Sequence, residues 1–513
     1  MKTRTLSAVI TATLVFARGA NATNVMEVPE VGAEQLGRGG AWIARASDPL
    51  AAFFNPAGLA GQDTRLALED SFAVRHACFT RIKASNDATD DGVAPGVSYA
   101  RVCDVASPFP NGQIAFAYRM TPRIGIGFAV LGPSGVPRAK WPELVGQSAA
   151  PQRYLLLEDS GEVLTPTVGV GVELLDGVRI GGSLQWGVAH LRTAGAASGL
   201  GQPGMSPAVN DVKATIDVKD WFFPGFTLGA IWSATAELDV AAWYKWSAPI
   251  VATGDVRTDA NYFTSRVAAG DTSKVARGDS SRADCGDAGS TACANGPVAT
   301  VRIPIPMEAK LGLRWHLPRA GVRAPHRRDP LAHDRLDIEI DFTWANDRAL
   351  DDVQIRFPSA VDGRGTVPVV GTAGVIPPVA DVMHRYKDVV GVRLGGDWNV
   401  IAGRLALRAG AFVETRAADP TYQNIDFAGG ARVGIAAGAT LRLRLPGGGS
   451  RTALELTAAY ARIEVADSTN DDPRAPGLHT MTGTPPYRTS WPTNLGTITN
   501  AFDVVNVGAA YRF

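Results

Sequence analysis

Between Leu336 and Trp344 the chain alternates residue by residue, with Leu336, Ile338, Ile340, Phe342 and Trp344 on one side and Asp337, Glu339, Asp341 and Thr343 on the other. A period of two builds a β-strand with one apolar and one polar face. The alternation recurs in Val178, Ile180, Leu184, Trp186 and Val188 against Arg179, Ser183 and Gln185. It returns in Leu405, Leu407, Ala409 and Val413 against Arg404, Arg408 and Glu414. Both a soluble sandwich and a membrane barrel have such strands, so the connections must decide between them.

Strands are expected at 64–79, 112–120, 123–131, 151–173, 177–192, 210–232, 235–248, 300–316, 334–346, 386–399, 402–416, 428–445, 451–466 and 501–513. They number fourteen, an even count, as bacterial outer-membrane barrels require. Tight turns at Thr121-Pro122, 174–176 and 446–450 alternate with long excursions at 80–111, 249–299, 347–385 and 467–500. Short turns on one side and long loops on the other is the outer-membrane asymmetry. The stretch 318–333 breaks it, being long on the short-turn side.

A Lys or Arg facing lipid near the midplane costs about 2–4 kcal/mol. Asp337, Glu339, Asp341, Arg404, Arg408, Arg442 and Arg444 are therefore expected to face the interior. Trp186, Trp232, Trp246, Trp315, Trp344 and Trp398 fall near strand ends, where amphipathic rings prefer the headgroup level. The expected fold class is all-β: a transmembrane outer-membrane barrel of about 14 antiparallel strands with an N-terminal lumenal segment.

Composition agrees with this reading. With 50 Lys+Arg against 50 Asp+Glu the chain has no bulk charge to hold a nucleic acid. Its 56 Gly and 33 Pro suit neither a helical bundle nor, at 45% hydrophobic residues, a disordered chain. Lys2 and Arg4, the apolar run Leu6 to Ala17 and Ala20-Asn21-Ala22 read as a secretory signal over residues 1–22. Beyond it no uncharged apolar run is long enough for a transmembrane helix.

Cys78, Cys103, Cys285 and Cys293 suit an exported, oxidised chain and allow three pairings. Their grouping favours Cys78 with Cys103 and Cys285 with Cys293. No CxxC occurs and the His are scattered singly, so no metal or cofactor is expected. The absence of GxSxG and HExxH argues against an enzyme.

Residues 31–61, VGAEQLGRGGAWIARASDPLAAFFNPAGLAG, do not alternate and are crowded with Gly and Ala. They are expected to form compact turns inside the barrel, giving a plug over 23–63 and a barrel over 64–513. Phe53 and Phe54 are among the apolar residues such a plug would bury, while Gly37, Gly39, Gly40, Ala41, Ser47-Asp48 and above all Asn55-Pro56-Ala57-Gly58-Leu59 carry a resemblance. So do the stretch 388–420, with Arg408-Ala409-Gly410 and Pro420, and the final Tyr511-Arg512-Phe513. In these residues the chain resembles the FadL/TodX family of outer-membrane transporters for long-chain fatty acids and hydrocarbons.

The resemblance implies passive uptake of hydrophobic small molecules past a hatch formed by the motif residues above. It implies a lateral exit at the third strand, where Gly125 and Gly127 permit a bend, and capture of cargo by loop residues such as Trp141, Leu144 and Val145. Arg404 and Arg408 are candidate partners for a carboxylate head, although pairing with Asp or Glu on neighbouring strands is the stronger expectation. Implied partners are outer-membrane lipid, lipopolysaccharide and the barrel-assembly machinery, for a monomeric protein. The alternatives are a general diffusion porin for polar solutes and an outer-membrane lipid-modifying enzyme. A TonB-dependent receptor is set aside because that architecture needs about 22 strands.

Overall fold

A computed structural model describes residues 32–87, 91–132, 138–197, 211–259, 263, 280–282, 299–319, 329–356, 367–368, 375–376, 379–427, 429–445, 452–478 and 491–513. The expected signal segment, the Cys285/Cys293 pair and the loop residues Pro133, Val136 and Pro137 lie outside them.

Fourteen wall strands result when an interrupted strand is counted once. They are β1 (Arg65–Arg81), β2 (Phe109–Arg119), β3 (Ile124–Gly132), β4 (Glu158–Leu175), β5 (Val178–Ala197), β6 (Val212–Ser233) and β7 (Leu238–Ser247, resuming at Ile250–Asp259). The circuit continues through β8 (Ala299–Ile303 and Glu308–Pro318), β9 (Asp334–Ala345 and Asp352–Arg356), β10 (Val389–Ile401), β11 (Leu405–Glu414), β12 (Arg432–Arg444), β13 (Ala453–Asn470) and β14 (Gly496–Arg512). Each pairs antiparallel with its chain neighbours, and β14 returns to β1 from Arg65↔Arg512 to Arg81↔Gly496. The sheet is closed, as it must be where lipid offers backbone groups no hydrogen bonds.

Alternation sets the two faces. On β9, Asp337, Glu339 and Asp341 are fully buried toward the interior while Ile338 and Phe342 are exposed outward. Trp232, Trp315 and Trp398 form an outward girdle beside the short turns, and Trp186, Trp221, Trp246 and Trp344 form one toward the long loops. Trp398 pairs with Leu336 and Trp344 with Val390, so eight residues of β9 separate the girdles. At about 3.3 Å per residue and a tilt near 40° that is about 20 Å along the membrane normal, close to the apolar band of such barrels.

Two arginines depart from the interior placement expected of them. Arg404 is exposed in the turn at 402–404, because β11 begins one residue later, and its carbonyl accepts the Arg442 N–H (2.8 Å). Arg444 is exposed at the last residue of β12, beyond the lumen's polar contacts. Arg408 and Arg442 are buried inside. The Cys78–Cys103 disulfide is formed, joining β1 to the short strand Val102–Cys103.

Candidate functional site: a filled lower lumen and an unpaired stretch of wall

Residues 32–62 lie inside the barrel, almost all of them buried. Helix α1 (Ala33–Gly37) is followed by Gly39 and Gly40 at φ 61° and 79°, a left-handed reversal that favours glycine. Two single helical turns follow, Pro49–Ala52 and Pro56–Leu59, each started by Pro behind a side-chain cap. Asp48 Oδ1 accepts the Leu50 N–H (2.8 Å). Asn55 Oδ1 accepts the Ala57 N–H (3.2 Å) while its Nδ2 donates to the Ile43 carbonyl (2.8 Å), tying this turn to the middle of the segment. Phe53 and Phe54 stack edge to face, and the Lys245 ammonium sits 5.0 Å from the centre of the Phe53 ring.

One half of this segment is held by close approach. A Cβ at Gly125 would overlap the Leu59 carbonyl, and one at Gly127 would lie 2.7 Å from Leu59 Cδ2 and 2.8 Å from Ala52 Cβ. A Cβ at Gly181 would strike Pro56, and one at Gly229 the Asn55 amide. The wall glycines of β3, β5 and β6 therefore leave room for the Asn55–Leu59 turn to touch backbone. The two glycines expected at a lateral exit serve here as part of that seat.

The other half is held by charge. Arg38 donates to Asp337 (2.6 Å), Asp397 (2.8 Å) and Glu339 (3.0 Å), all four side chains being fully buried. Arg45 reaches Asp337 (2.6 Å) and Asp397 (3.0 Å). Arg408 bonds Asp397 (3.3 Å) and Thr440 (2.7 Å) and lies 3.6 Å from Glu34. Carboxylates of β9 also cap the segment's backbone, Asp341 accepting from Trp42 (2.9 Å) and Glu339 from Ala44 (2.7 Å). Burial pushes the Glu34 carboxyl up, but Arg408, Arg45, Arg65 and Arg38 together outweigh it and hold it down to about 2. Burial, with Glu34 and Glu69 nearby, raises Asp48 well above the ordinary carboxylate range.

Toward the long loops the interior changes character. Val163, Leu191, Val218, Phe223, Ile250, Val301, Ile303 and Val353, one or two from each strand β4 to β9, form a continuous buried apolar collar with Tyr386 and Phe427. Trp141 is buried in a neighbouring cluster with Phe79, Val102, Leu156 and Ile425, against which Val145 is half-buried. Leu144 and Val145 form a small hairpin with Ser148 and Ala149.

Beside this collar the pairing of the described wall strands is interrupted. The β1–β2 ladder stops at Ala73↔Phe109, and pairing on that side of β1 resumes at Cys78↔Cys103. The β3–β4 ladder stops at Leu131↔Thr165 and pairing on that side of β4 resumes at Ala139↔Asp159. Among the described residues, Val74–His76 of β1 and Ser160–Glu162 of β4 have no strand partner on these facing sides. The gap lies where outward side chains turn from apolar (Phe72, Leu164) to polar (His76, Glu162).

A closed fourteen-stranded barrel with two aromatic girdles, long loops on one side and its own N-terminal segment in the lumen is a transmembrane barrel of the outer-membrane class. Its fold is that of the FadL and TodX transporters. A Pseudomonas aeruginosa FadL homologue superimposes with a TM-score of 0.65 at 17% identity, over 95% of this chain and 99% of that one. The Ralstonia pickettii toluene transporter TbuX gives 0.55 at 14% identity (94% and 99%), and the Pseudomonas putida toluene transporter TodX 0.54 at 12% (94% and 99%). No protein-family model and no curated protein matches the sequence.

Sequence reasoning quoted the lumenal segment but passed over Arg38 and Arg45, whose partners are some 300 residues away. It also did not single out Asp397, which both arginines share.

Proposed function

We propose that the protein takes up hydrophobic compounds, long-chain fatty acids or hydrocarbons, passively across the outer membrane. The lumenal segment is its hatch, and cargo leaves sideways into the membrane. The observation that carries this reading is the unpaired wall between Val74–His76 and Ser160–Glu162, which adjoins an apolar collar and lies above a lumen filled by charge. Burial is worth about 0.8 kcal/mol per CH2, so a chain of a dozen methylenes gains roughly ten kcal/mol in the collar before ordering costs. It would forfeit that gain among the guanidinium and carboxylate groups below. A sideways step avoids that lower lumen, passing the Arg75–Asp104 pair at the edge of the unpaired stretch. The solved toluene transporters of the same fold support this cargo class.

The test is uptake of a labelled long-chain fatty acid and of toluene by cells carrying the wild type, Gly161→Trp in the unpaired stretch of β4, Asn55→Ala in the hatch, or no protein. Facilitated uptake lost in Gly161→Trp, with the barrel still folded, supports lateral release. Uptake indifferent to Gly161→Trp removes the lateral route. No facilitation of either compound, with large ion conductance in planar bilayers, leaves a porin.

A further inference from the structure

At the unpaired stretch of β1 a buried ion pair is left incomplete. Arg75 lies on the inward side of that stretch, with the same parity as buried Ser71, Ala77 and Phe79. Its side chain is 6% exposed and that of Asp104 1%, yet Arg75 Nη1 and Asp104 Oδ2 stand 3.8 Å apart, too far for a hydrogen bond. Each group is fixed at its other end. Arg75 Nη2 donates to the Ile425 carbonyl (2.8 Å). Asp104 is tied to β1 by its own N–H on the Ala77 carbonyl (2.8 Å), and its Oδ1 accepts the N–H groups of Ala106 (2.8 Å) and Lys140 (3.0 Å). Among the described residues, Arg75 Nε and Nη1 have no hydrogen-bond acceptor and Asp104 Oδ2 has no donor.

A buried donor and a buried acceptor held just short of each other define what fits between them. A hydroxyl oxygen about 2.8 Å from both accepts from the guanidinium and donates its proton to the carboxylate. A water satisfies this, and so does a hydroxyl carried on a hydrophobic body. The surroundings favour the second. Ile425 belongs to the apolar cluster of Ala77, Phe79 and Trp141, and nearby Phe427 and Tyr386 belong to the collar. Charge disfavours an anionic head: Asp426 and Asp159 act on Arg75 as well as Asp104 does, so carboxylates outnumber the guanidinium three to one. Asp426 in turn holds His384 (2.9 Å).

The geometry points to a polar subsite on the lateral route, where Arg75 and Asp104 take the hydroxyl group of a neutral hydrophobe of the long-chain alcohol class in preference to a plain hydrocarbon or a carboxylate. This deepens the transport reading and rests on it for the cargo's arrival, whereas binding itself requires no passage.

Equilibrium binding of labelled dodecane, dodecanol and dodecanoate to the purified full-length barrel in lipid nanodiscs, each referred to its partition into empty nanodiscs, reads the subsite without transport. Dodecanol is expected to bind about tenfold more tightly than either of the others. Arg75→Met should abolish that preference and leave dodecane binding unchanged. In Asp104→Asn the amide oxygen keeps the two backbone N–H groups, so the amide nitrogen takes the place of Oδ2 and a donor replaces the acceptor. The preference should then pass from dodecanol to decyl methyl ketone, whose oxygen only accepts. If Arg75→Met yields no folded barrel, this switch decides alone. Equal binding of alcohol and hydrocarbon by the wild type overturns the proposal and leaves a water between the pair. Tighter binding of dodecanoate overturns it too, as does an alcohol preference that survives the substitutions. Failure of cellular uptake with the alcohol preference and its switch intact would count against the transport reading alone.

Discussion

The two halves of the interior solve opposite problems with the same strands. The lower lumen buries charge, and each cation of its centre is surrounded: Arg38 has three carboxylates and Arg314 has Asp239, Asp334 and Asp337. The upper lumen carries Val, Leu, Ile and Phe at the same inward positions of strands β4 to β9. Inward parity carries straight through β4 but switches on β6, β7 and β8, at a bulge or an interruption of the strand, so the difference between the two halves is written in residue type and, on those strands, in the backbone as well. Buried ion pairs are costly to break and weakly stabilising to make. They suit a part that must sit in one place. An apolar collar has no directional bonds and suits a part along which something slides.

Arg38→Ala should break that comparison most severely. It takes from Glu339 its arginine and leaves Asp337 and Asp397 to Arg45, Arg314 and Arg408, a loss of about 3–5 kcal/mol for a buried pair with one partner removed. The hatch should become sensitive to protease added to the purified barrel while the barrel itself stays folded. Gly229→Val tests the hatch's other attachment, since any Cβ there collides with the Asn55 amide. Overpacking of this kind costs about 1–3 kcal/mol. The same protease assay should show partial release, with Gly182→Ala, where a Cβ would meet nothing closer than 3.7 Å, behaving as wild type.

Val301→Asn sharpens the upper half. An unpaired amide in the collar should lower hydrophobe uptake about tenfold with protease resistance unchanged. Equal effects on both readouts would dissolve the division. The smallest effect is that of acid. Glu34 is held down to about 2, so its contribution is present above its ordinary range and is lost only as pH falls through about 2. Hatch protection assayed by crosslinking should be the same at pH 7 and pH 4 as far as Glu34 is concerned.

Much of the barrel was legible because its information is local. Alternation over Leu336 to Trp344 assigns every side chain of β9 to a face, and turn length gives the strand order. Arg404 was misplaced because the expected strand began at 402 and the observed one begins at Leu405, three residues later, enough to move it from the lumen to an exposed turn. The seat of the hatch was half legible: Asn55-Pro56 announces a capped turn, but no pattern in the sequence pairs Asn55 with Gly229 or Arg38 with Asp397. Such contacts are made by the closure of the barrel, which brings together residues that are neighbours only in space. The wall's gap was invisible for the same reason, since a missing ladder has no residue signature. The Gly125 and Gly127 pair drew notice as points where the strand could bend, and the sequence carried no sign that Leu59 lies against them.

The Cys78–Cys103 bond sits at the first pair above the gap, where β1 regains a partner. A ladder resuming after an interruption is ordinarily the easiest place for a sheet to unzip, because hydrogen bonds there have a neighbour on one side only. A covalent stitch at that point stops the tear. The upper edge of the unpaired stretch is thereby a hem: β1 stays joined to Val102–Cys103 there whatever the strands do below, and the interruption cannot run upward into the loops.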